Sequence, residues 1–378
     1  MRLDIFEMER LQSTWENRVR FNLSESSVHP MSVRELISDP VFLAQLLDTP
    51  LIYNQSNGTD ELRAAIAALY PGATIDNVEV TNGGSEANFI SVYSQLEPGD
   101  EVVILLPNYQ QIWGLTNSLG MIVKEARLRE DRSWAPDLDE LETATSSQTR
   151  MIVVCNPNNP TGAILSQSEM DAIIRAASRS GAWILADEIY QGSERDGKTT
   201  PTFWGRYDRV IVTNGLSKAY GLPGLRIGWI VAREEIIAKM WSYHDYTTIA
   251  PGTLSDALAR IALSPEGRAR CLERTRRICR DNFPLFQEWI RRHGSTFRMV
   301  EPRAGAIAYV RYNLPINSCQ LMERLLKEKS VLVVPGDHFG MDRFLRIGYG
   351  PRPDYLQEAL EHVHAVLDDL QSASLRAS

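Results

Sequence analysis

The sequence lacks the features that mark several classes of protein. Its 378 residues include only four cysteines, which are scattered without CxxC or Cys/His spacing. They indicate reduced thiols, with neither a disulfide framework nor a zinc site. The formal net charge is −8 and no basic tract is present, which argues against nucleic acid and anionic membranes as partners. We therefore expect no bound metal and an intracellular, cytoplasmic location.

Long apolar segments and repeats are missing as well. No run of about 18 apolar residues is present, so no membrane span is expected. Residues 1–4 lack the apolar core of a signal peptide. There is no internal repeat and no low-complexity stretch. The composition, 43% hydrophobic and 23% charged, is ordinary for a soluble globular protein, and the length suggests two or three domain-sized units.

The middle of the chain alternates short apolar runs with helical patterns. Continuous apolar runs of this length are typical of strands buried on both faces, as in a parallel sheet covered by helices. The runs are 101–107, 151–157, 183–187, 210–213 and 227–231. Within 166–180, apolar residues recur at helical spacing. The pattern predicts a large α/β domain over residues 48–275.

The two ends of the chain predict a smaller α+β domain. Its main part is residues 276–378, where helical and strand patterns alternate. The predicted helices are 281–292, 319–328 and 356–370, and the predicted strands are 307–310, 331–334 and 344–347. We expect the N-terminal segment, residues 1–47, to join this small domain or to lie across the cleft.

Polar residues follow several of the predicted strands. Tyr109, Asn159, Asp187 and Lys218 each lie at or just beyond the end of an apolar run. In open α/β sheets, ligands bind beyond the carboxyl ends of the strands. One such residue alone would be an ordinary loop residue. Together, with a lysine among them, they predict a binding site.

The segment around Lys218 indicates covalent chemistry. The lysine follows an apolar strand and a turn of small residues, and Arg226 comes eight residues later. This arrangement suits an amine nucleophile beside a tightly held anion. The run 214–228 resembles the pyridoxal-phosphate (PLP) lysine segment of the class I/II aminotransferase family, the fold-type I PLP enzymes. The resemblance spans residues 50–350 and implies a mostly parallel seven-stranded sheet between helices, beside a smaller domain.

The resemblance assigns roles around the PLP ring. Lys218 forms a Schiff base with the aldehyde and, once freed, moves the α-proton of the substrate. Asp187 keeps the pyridine nitrogen protonated. Tyr190 and Asn159 contact the phenolic oxygen of the cofactor, and Tyr109 stacks on the ring. Lys218, Asp187 and Tyr190 are thus the expected catalytic residues.

The resemblance also assigns a phosphate site. Gly84 and Ser85 form the cup, because glycine allows close backbone approach and a helix N-terminus offers free N–H groups. Arg226 supplies a charge-assisted bond and Ser217 a hydroxyl.

The chain departs from the usual Ser-x-Ser-Lys pattern of the family at one position of this phosphate site. Gly215 stands where the first serine is expected. A hydroxyl donor to the phosphate is missing there. Thr213 or Thr248 is a candidate replacement.

Two further residues match the family outside the PLP ring. Arg346 corresponds to the arginine that grips the α-carboxylate of the substrate, and its planar fork suits a bidentate carboxylate. Tyr53 aligns with a tyrosine that reaches the phosphate of the neighbouring subunit. The resemblance therefore implies a homodimer with shared active sites.

Residues 23–30 are more polar than the Gly-x-Pro segment usual at this place, and Ser27 is a candidate substrate contact there, as is Asn159. With residues 244–248 and 333–340, this segment resembles the branch that includes capreomycidine synthase and related PLP cyclases. Those enzymes act on hydroxylated arginine by elimination and ring closure.

A guanidinium substrate needs carboxylates, and the candidates are Glu9, Glu16 and Glu25. In the expected N-terminal helix, Glu9 and Glu16 share a face that differs from the apolar face of Ile5, Met8, Leu11, Trp15 and Val19. The alternative interpretation is a solvated helix face.

The sequence leaves three functions open. The first is a PLP-dependent aminotransferase that moves an amino group between an amino acid and a 2-oxo acid. The second is a PLP-dependent lyase or cyclase acting by elimination on a modified, possibly hydroxylated guanidino, amino acid. The third, a regulatory protein that binds PLP, predicts an appended DNA-binding domain or a lost lysine, and neither is seen. The same cofactor-binding residues serve many reactions, so the resemblance does not choose among them.

Overall fold

The computed structural model describes residues 3–37 and 39–377, with the side chains of 371–377 left aside. The α-helices are α1 (Glu7–Trp15), α2 (Val33–Leu36), α3 (Pro40–Leu47), α4 (Asp60–Ala67), α5 (Gly84–Gln95), α6 (Gln110–Ser118), α7 (Leu138–Ala144), α8 (Gln167–Ser180), α9 (Glu234–His244), α10 (Thr253–Leu263), α11 (Pro265–Arg292), α12 (Ser318–Lys329) and α13 (Pro353–Ala377). Short 3₁₀ turns lie at Ile75–Asn77, Glu130–Arg132, Pro223–Leu225 and Gly336–Phe339.

The strands belong to a large sheet, a smaller antiparallel sheet and one short parallel pair. They are β1 (Phe21–Asn22), β2 (Val78–Thr81), β3 (Glu101–Leu106), β4 (Ile122–Arg129), β5 (Ala135–Pro136), β6 (Thr149–Cys155), β7 (Trp183–Asp187), β8 (Val210–Gly215), β9 (Gly228–Val231), β10 (Phe297–Met299), β11 (Ile307–Tyr312), β12 (Val331–Leu332), β13 (Val334–Pro335) and β14 (Phe344–Gly348).

The large sheet confirms the predicted α/β fold class. Over the described residues its strand order is β2-β9-β8-β7-β6-β3-β4-β5. Strands β4, β3, β6, β7 and β8 run parallel, whereas β9 runs antiparallel to its neighbours β8 and β2. The sheet thus has the seven expected strands, mostly parallel, and the two-residue β5 extends it by one. The apolar run 227–231, expected to be parallel, is the antiparallel β9.

Helices cover the sheet because its strands bury side chains on both faces. Val103, Leu105 and Ile152 pack into one apolar core, and Val102, Ile104 and Val153 pack into another on the opposite face. Helix α8 begins at a capping box in which Ser166 and Glu169 satisfy each other's backbone N–H groups. It ends at Gly181, whose positive φ of 69° suits glycine. The capping residues of α8 and the buried side chains of the strands therefore favour the same structure.

The C-terminal part of the chain packs a four-stranded antiparallel sheet, in the order β10-β11-β14-β13 within the described residues, against α11, α12 and α13. Its core includes Phe286, Trp289 and Tyr349, all fully or almost fully buried. The N-terminal segment joins this part through β1, in which Phe21 pairs with Val331 and Asn22 with Leu332 in parallel. Helix α11 begins at Pro265, well before the predicted start at residue 281.

Helix α1 lies between the two main cores. Met8 is buried in the core of the large sheet, while Leu11 and Val19 pack against the core of the C-terminal part. The helix ends at Trp15, so Ile5 and Val19 fall outside it, and Ile5 is 72% exposed. The expected apolar face is therefore shorter than the pattern suggested.

No helix within residues 3–37 and 39–377 is long and apolar enough to cross a membrane.

Candidate active site

A cavity of about 330 Å³ lies at the carboxyl ends of the parallel strands, between the large sheet, α1 and β14. Its size falls in the range of small-ligand sites. Most of the predicted site residues line it, namely Glu9, Gly84, Ser85, Tyr109, Asn159, Asp187, Tyr190, Ser217, Lys218, Arg226 and Arg346. The structure therefore brings together residues that lie more than 300 positions apart in the chain.

Lys218 follows β8 and lies in the cavity with an anionic partner. Its Nζ is 3.1 Å from Oε1 of Glu25. Burial acts to lower the pKa of Lys218, but the charge and the hydrogen bond of Glu25, together with the nearby Tyr190 phenol, outweigh burial and raise it. The Lys218 ammonium in turn lowers the pKa of Glu25 to about 2, although the Glu25 side chain stays 39% exposed along the cavity. The lysine thus carries a proton in this arrangement, and Glu25 is its counter-ion.

Asp187 ends β7 as a buried carboxylate. Its Oδ2 accepts a hydrogen bond from Nδ2 of Asn88 at 3.1 Å, and its Oδ1 accepts one from the backbone N–H of Ile189 at 3.1 Å. Burial raises the pKa of Asp187. Among the described residues, no cationic side chain forms an ion pair with Asp187. A buried, oriented carboxylate without a cation fits a ligand that brings a protonated nitrogen.

Asn88 holds Asp187 in place and was not predicted from the sequence. Its Oδ1 accepts the hydroxyl of Thr213 at 2.7 Å, so its amide nitrogen is turned toward Asp187. Asn88 lies one turn into α5, where a polar residue looks like any helix surface position. The Thr213 hydroxyl is therefore directed at Asn88, and Thr213 does not line the cavity. The structure does not favour Thr213 as a phosphate donor.

A glycine turn and an arginine form an anion-binding cradle at the start of α5. This helix has no side-chain cap, so its first N–H groups are free to bind an anion. Gly83 has a φ of +94°, and a Cβ there would lie 2.3 Å from Nη2 of Arg226. Nη1 of Arg226 is 3.4 Å from the hydroxyl oxygen of Ser217. Only glycine lets this guanidinium lie against the turn, which fits a phosphate group.

Arg346 projects from β14 as a buried guanidinium that is held by two neighbours. Its Nη1 donates to Oδ1 of Asn159 at 3.0 Å, and its Nη2 donates to the backbone oxygen of Ser24 at 2.6 Å. Its Nε has no hydrogen-bond partner within the described part of the chain. These bonds fix the plane of the fork and leave donor capacity for a carboxylate in the cavity.

Helix α1 lines the cavity with polar side chains. Glu9 and Gln12 of α1, and Glu16 directly after its last residue, face the cavity, and Tyr109 Oη donates to Oε1 of Glu9 at 2.7 Å. Gln12, absent from the sequence predictions, donates to the backbone oxygen of Ser24 at 3.1 Å. Burial, and then the charges of Glu25 and Glu9, raise the pKa of Glu16. The sequence left open whether this face is solvated or binds the substrate. In the structure it borders the cavity.

Three predicted contacts, Ser27, Tyr53 and Thr248, lie outside this cavity. The hydroxyl of Ser27 is 3.3 Å from Oε1 of Glu25, and Ser26 lines the cavity in its place. Tyr53 is 85% exposed on the surface of its own chain. Thr248, the other candidate phosphate donor, hydrogen-bonds Glu86 at 2.7 Å and does not line the cavity. Ser27 is thus one residue removed from the cavity in sequence, and Tyr53 lies away from the cavity of its own chain.

The cavity also contains the thiol of Cys155. Burial raises its pKa well above the usual range, so the thiol is uncharged and unreactive at neutral pH. Within the residues that the structure describes, no group of three or more His, Cys, Asp or Glu side chains is arranged to hold a metal ion.

Comparison with known sequences gives consistent matches over most of the chain. The sequence model of the aminotransferase class I and II family matches residues 22–363. Capreomycidine synthase from Streptomyces vinaceus is 32% identical over 341 residues, which cover 89% of this chain and 87% of that protein. An aspartate aminotransferase from Streptomyces avermitilis is 27% identical over 345 residues, covering 84% and 82%.

Solved structures agree with the sequence matches. A PLP-dependent aminotransferase from Streptococcus suis superimposes with a TM-score of 0.91 at 31% identity, covering 98% of this chain and 99% of that one. The PLP-dependent cyclase OrfR superimposes with a TM-score of 0.89 at 26% identity, covering 98% of both chains. The fold is therefore shared by enzymes of two different reaction types.

Proposed function

Since the chain belongs to the aminotransferase class I and II family and is a PLP-dependent enzyme, we propose that it moves an amino group between an amino acid and a 2-oxo acid, with Lys218 as the catalytic amine. The observation that carries this proposal is the meeting of Lys218, Asp187 and Arg346 in one cavity. An amine nucleophile, a buried carboxylate and a carboxylate-binding fork are the three groups that amino acid chemistry with PLP requires.

When bound, PLP supplies an electron sink that stabilises negative charge at the α-carbon of an amino acid. The residues present fit this group. Asp187 would hold a protonated ring nitrogen, and the turn at Gly83 with Arg226 would hold the phosphate. Tyr109, Tyr190 and Asn159 border the space between these two ends.

The chain's own residues can orient the substrate and move a proton. Arg346, fixed by Asn159 and Ser24, binds the α-carboxylate and so sets the position of the α-carbon. The Lys218 amine accepts the α-proton and returns it, which requires the amine to lose the proton that Glu25 now stabilises. A cationic group on the substrate that pairs with Glu25 would weaken this hold on the proton.

We infer that the substrate has a cationic side chain. Glu9, Glu16 and Glu25 all border the cavity, and the carboxylate of Glu25 has only Lys218 as an ion-pair partner among the described residues. An acidic side chain on the substrate would meet like charge here, whereas a guanidinium would find acceptors. The Streptomyces vinaceus relative, named a capreomycidine synthase, supports this inference.

A second candidate function is elimination followed by ring closure on a modified guanidino amino acid. Glu25 favours it, because ring closure through a guanidinium benefits from a carboxylate that can accept its proton, and the Glu25 carboxylate is 3.1 Å from Lys218. The likeness to the PLP-dependent cyclase OrfR also supports it. Both candidates use the same PLP-binding residues and differ only in what happens after the α-proton leaves.

One assay separates the two functions. The purified enzyme with PLP is given arginine or a β-hydroxylated arginine, with and without a 2-oxo acid acceptor, and products are followed by mass spectrometry. An aminotransferase needs the acceptor for repeated turnover and yields a new amino acid from it. A cyclase turns over without any acceptor and yields a product that has lost water. Turnover of neutral amino acids in preference to both substrates would contradict the cationic substrate.

We further propose that the enzyme is a homodimer with shared sites. Tyr53 and Tyr246 are 85% and 92% exposed, and Leu51, Ile52 and Ile249 are also exposed. The hydroxyl of Thr253 donates to the backbone oxygen of Ile52, which brings these two apolar segments together. Exposed apolar surface of this kind indicates a protein partner, and a second copy would carry Tyr53 to its neighbour's phosphate site.

We infer a cytoplasmic location from the thiols. Cys155, Cys271, Cys279 and Cys319 are all free, and the first three are buried. Buried unpaired thiols are typical of proteins that fold in a reducing compartment. Fractionation of the producing cells, with the enzyme traced by antibody, tests this location.

A further inference from the structure

A buried cluster of two glutamates and a histidine lies beside the phosphate-binding turn but outside the cavity. The cluster consists of Glu79 on β2, Glu86 on α5 and His244 at the end of α9. The side chains of Glu79 and His244 are completely buried and that of Glu86 nearly so. The proposed chemistry of the cavity uses none of the three.

His244 joins the two carboxylates. Its Nδ1 is 2.7 Å from Oε1 of Glu79, and its Nε2 is 3.3 Å from Oε2 of Glu86. Nε2 is also 3.1 Å from the hydroxyl oxygen of Thr248. Burial acts to lower the pKa of His244, but the hydrogen bonds with the two glutamates outweigh it and raise the pKa. Burial also raises the pKa of Glu79, to about 7. His244 thus links Glu79, Glu86 and Thr248 in one buried hydrogen-bonded cluster.

Glu86 connects His244 to the phosphate-binding turn through hydrogen bonds. Its Oε2 accepts the backbone N–H of Asn82 at 2.6 Å, and its Oε1 accepts the Thr248 hydroxyl at 2.7 Å. The amide of Asn82 donates to the Thr248 hydroxyl oxygen at 2.6 Å and to the backbone oxygen of Ala250 at 3.1 Å. Hydrogen bonds thus hold both the backbone and the side chain of Asn82 in place.

These hydrogen bonds matter because the sequence of the turn allows many backbone conformations. Residues 83 and 84 are both glycine, and glycine has the widest choice of backbone conformations. On one side the turn is covered by the Arg226 guanidinium, and Gly228 packs so tightly that a Cβ there would lie 2.4 Å from the Gly83 carbonyl carbon. Small shifts of Asn82 would therefore move the N–H groups that form the anion cradle.

We propose that His244 is a positioning residue for the phosphate group of the cofactor, acting through Glu86 to fix the turn from Asn82 to Ser85. It touches neither the cavity nor the substrate. The alternative is that the cluster only stabilises the fold, as buried ion pairs sometimes do. The two roles predict different effects of His244 substitutions on ligand affinity. A positioning role changes the affinity only for a ligand that carries the phosphate, whereas a role in stability alone does not depend on the phosphate.

The test compares two ligands that differ only in the phosphate. The dissociation constants of pyridoxal phosphate and of pyridoxal are measured by absorbance titration for the apoenzyme and its variants. In His244→Leu we expect affinity for pyridoxal phosphate to fall roughly tenfold, as for loss of one charged hydrogen bond, and affinity for pyridoxal to change less than about twofold. In His244→Gln, whose amide can donate to Glu86, we expect most of the phosphate-dependent affinity to return.

Two further variants keep the test decisive. His364→Leu, at a partly exposed histidine on α13, is the matched control and should leave both constants unchanged. Thr248→Val removes one acceptor of Asn82 without creating a buried charge, and it should show the same selective loss even if His244→Leu does not fold. Equal losses for the two ligands, or no loss in a folded His244→Leu protein and in Thr248→Val, would overturn the proposal.

Discussion

At the scale of single residues, Gly83 shows how one missing side chain shapes the site. Its φ of +94° and the closeness of Arg226 both demand glycine. A methyl group there would have to displace the guanidinium that we assign to the phosphate. The sequence pattern alone marks this glycine as one of many possible turn residues, because the partner that excludes a side chain lies 143 positions later, at Arg226.

Gly83→Ala should therefore lose PLP affinity by more than about tenfold, as expected when a charged hydrogen bond is broken. Gly99→Ala is the matched control, since Gly99 has the same φ of +94° but no heavy atom would lie within 4 Å of a Cβ added there. Both variants put a Cβ at the same positive φ, so the difference between their PLP dissociation constants reports mainly the displacement of Arg226. Equal affinities in the two variants would argue against a phosphate at this turn.

Glu16 provides a pH-dependent test of the cationic substrate. Burial and the charges of Glu25 and Glu9 raise its pKa, so it loses its negative charge at a higher pH than an ordinary glutamate as the solution is acidified. The ratio of kcat/KM for arginine to that for citrulline, its neutral analogue, should therefore fall as pH drops through this range. The titration of groups that affect both substrates equally cancels in this ratio.

Glu16→Gln should flatten that pH dependence and raise KM for arginine by roughly tenfold, the worth of one charge-assisted hydrogen bond. KM for citrulline should change little. Glu7→Gln, in the first turn of the helix that Glu16 follows but exposed and outside this cavity, should behave like the unmodified enzyme. A similar rise in KM for both amino acids would show that Glu16 does not contact the cationic group.

At the scale of elements, the strongly apolar strands could be predicted and the mixed ones could not. Strand β7 occupies the predicted residues 183–187, and β3, β6 and β8 lie within two residues of their predicted ends. Strand β4 was missed because it reads Ile122-Val123-Lys124-Glu125-Ala126-Arg127-Leu128-Arg129, with charged residues throughout. It lies near the sheet edge, where only some of its side chains are buried, so its sequence lacks the continuous apolar signal.

The residues of the candidate site also divide into those that the sequence could predict and those that it could not. Residues that follow apolar strands, such as Asp187 and Lys218, could be selected because parallel strands bring their ends together. Asn88, Gln12 and His244 could not, since each lies on a helix and acts through a contact between distant segments. The direction of β9 could not be predicted either. It has the apolar run of a parallel strand but pairs antiparallel, because the connection 216–227 contains no crossover helix and returns the chain directly beside β8.

At the scale of the whole molecule, one cavity depends on every part of the chain. The large sheet contributes Asp187 and Lys218, the C-terminal part contributes Arg346, α1 contributes Glu9, and Glu16 comes directly after α1. Segment 23–31 contacts both parts, because His29 N–H bonds to the Gly350 carbonyl at 2.9 Å and Met31 N–H bonds to the Gly221 carbonyl at 3.2 Å.

The proposed dimer predicts complementation between inactive variants. Tyr53→Ala and Lys218→Ala proteins should each have little activity alone. After mixing under conditions that allow subunit exchange, about a quarter of the wild-type activity is expected, because each mixed dimer regains one intact site. Sedimentation should give twice the monomer mass of 42.6 kDa. A monomeric active enzyme, or mixing that restores nothing while exchange is shown, would contradict shared sites.

The central claim, that Lys218 carries the cofactor, is tested most directly by reducing the purified enzyme with borohydride in the presence of PLP and mapping the modified peptide by mass spectrometry. The account predicts a phosphopyridoxyl group on the peptide that contains Lys218, and its loss in Lys218→Ala. Recovery of the group on a different lysine, or of no modified peptide from PLP-saturated enzyme, would contradict it.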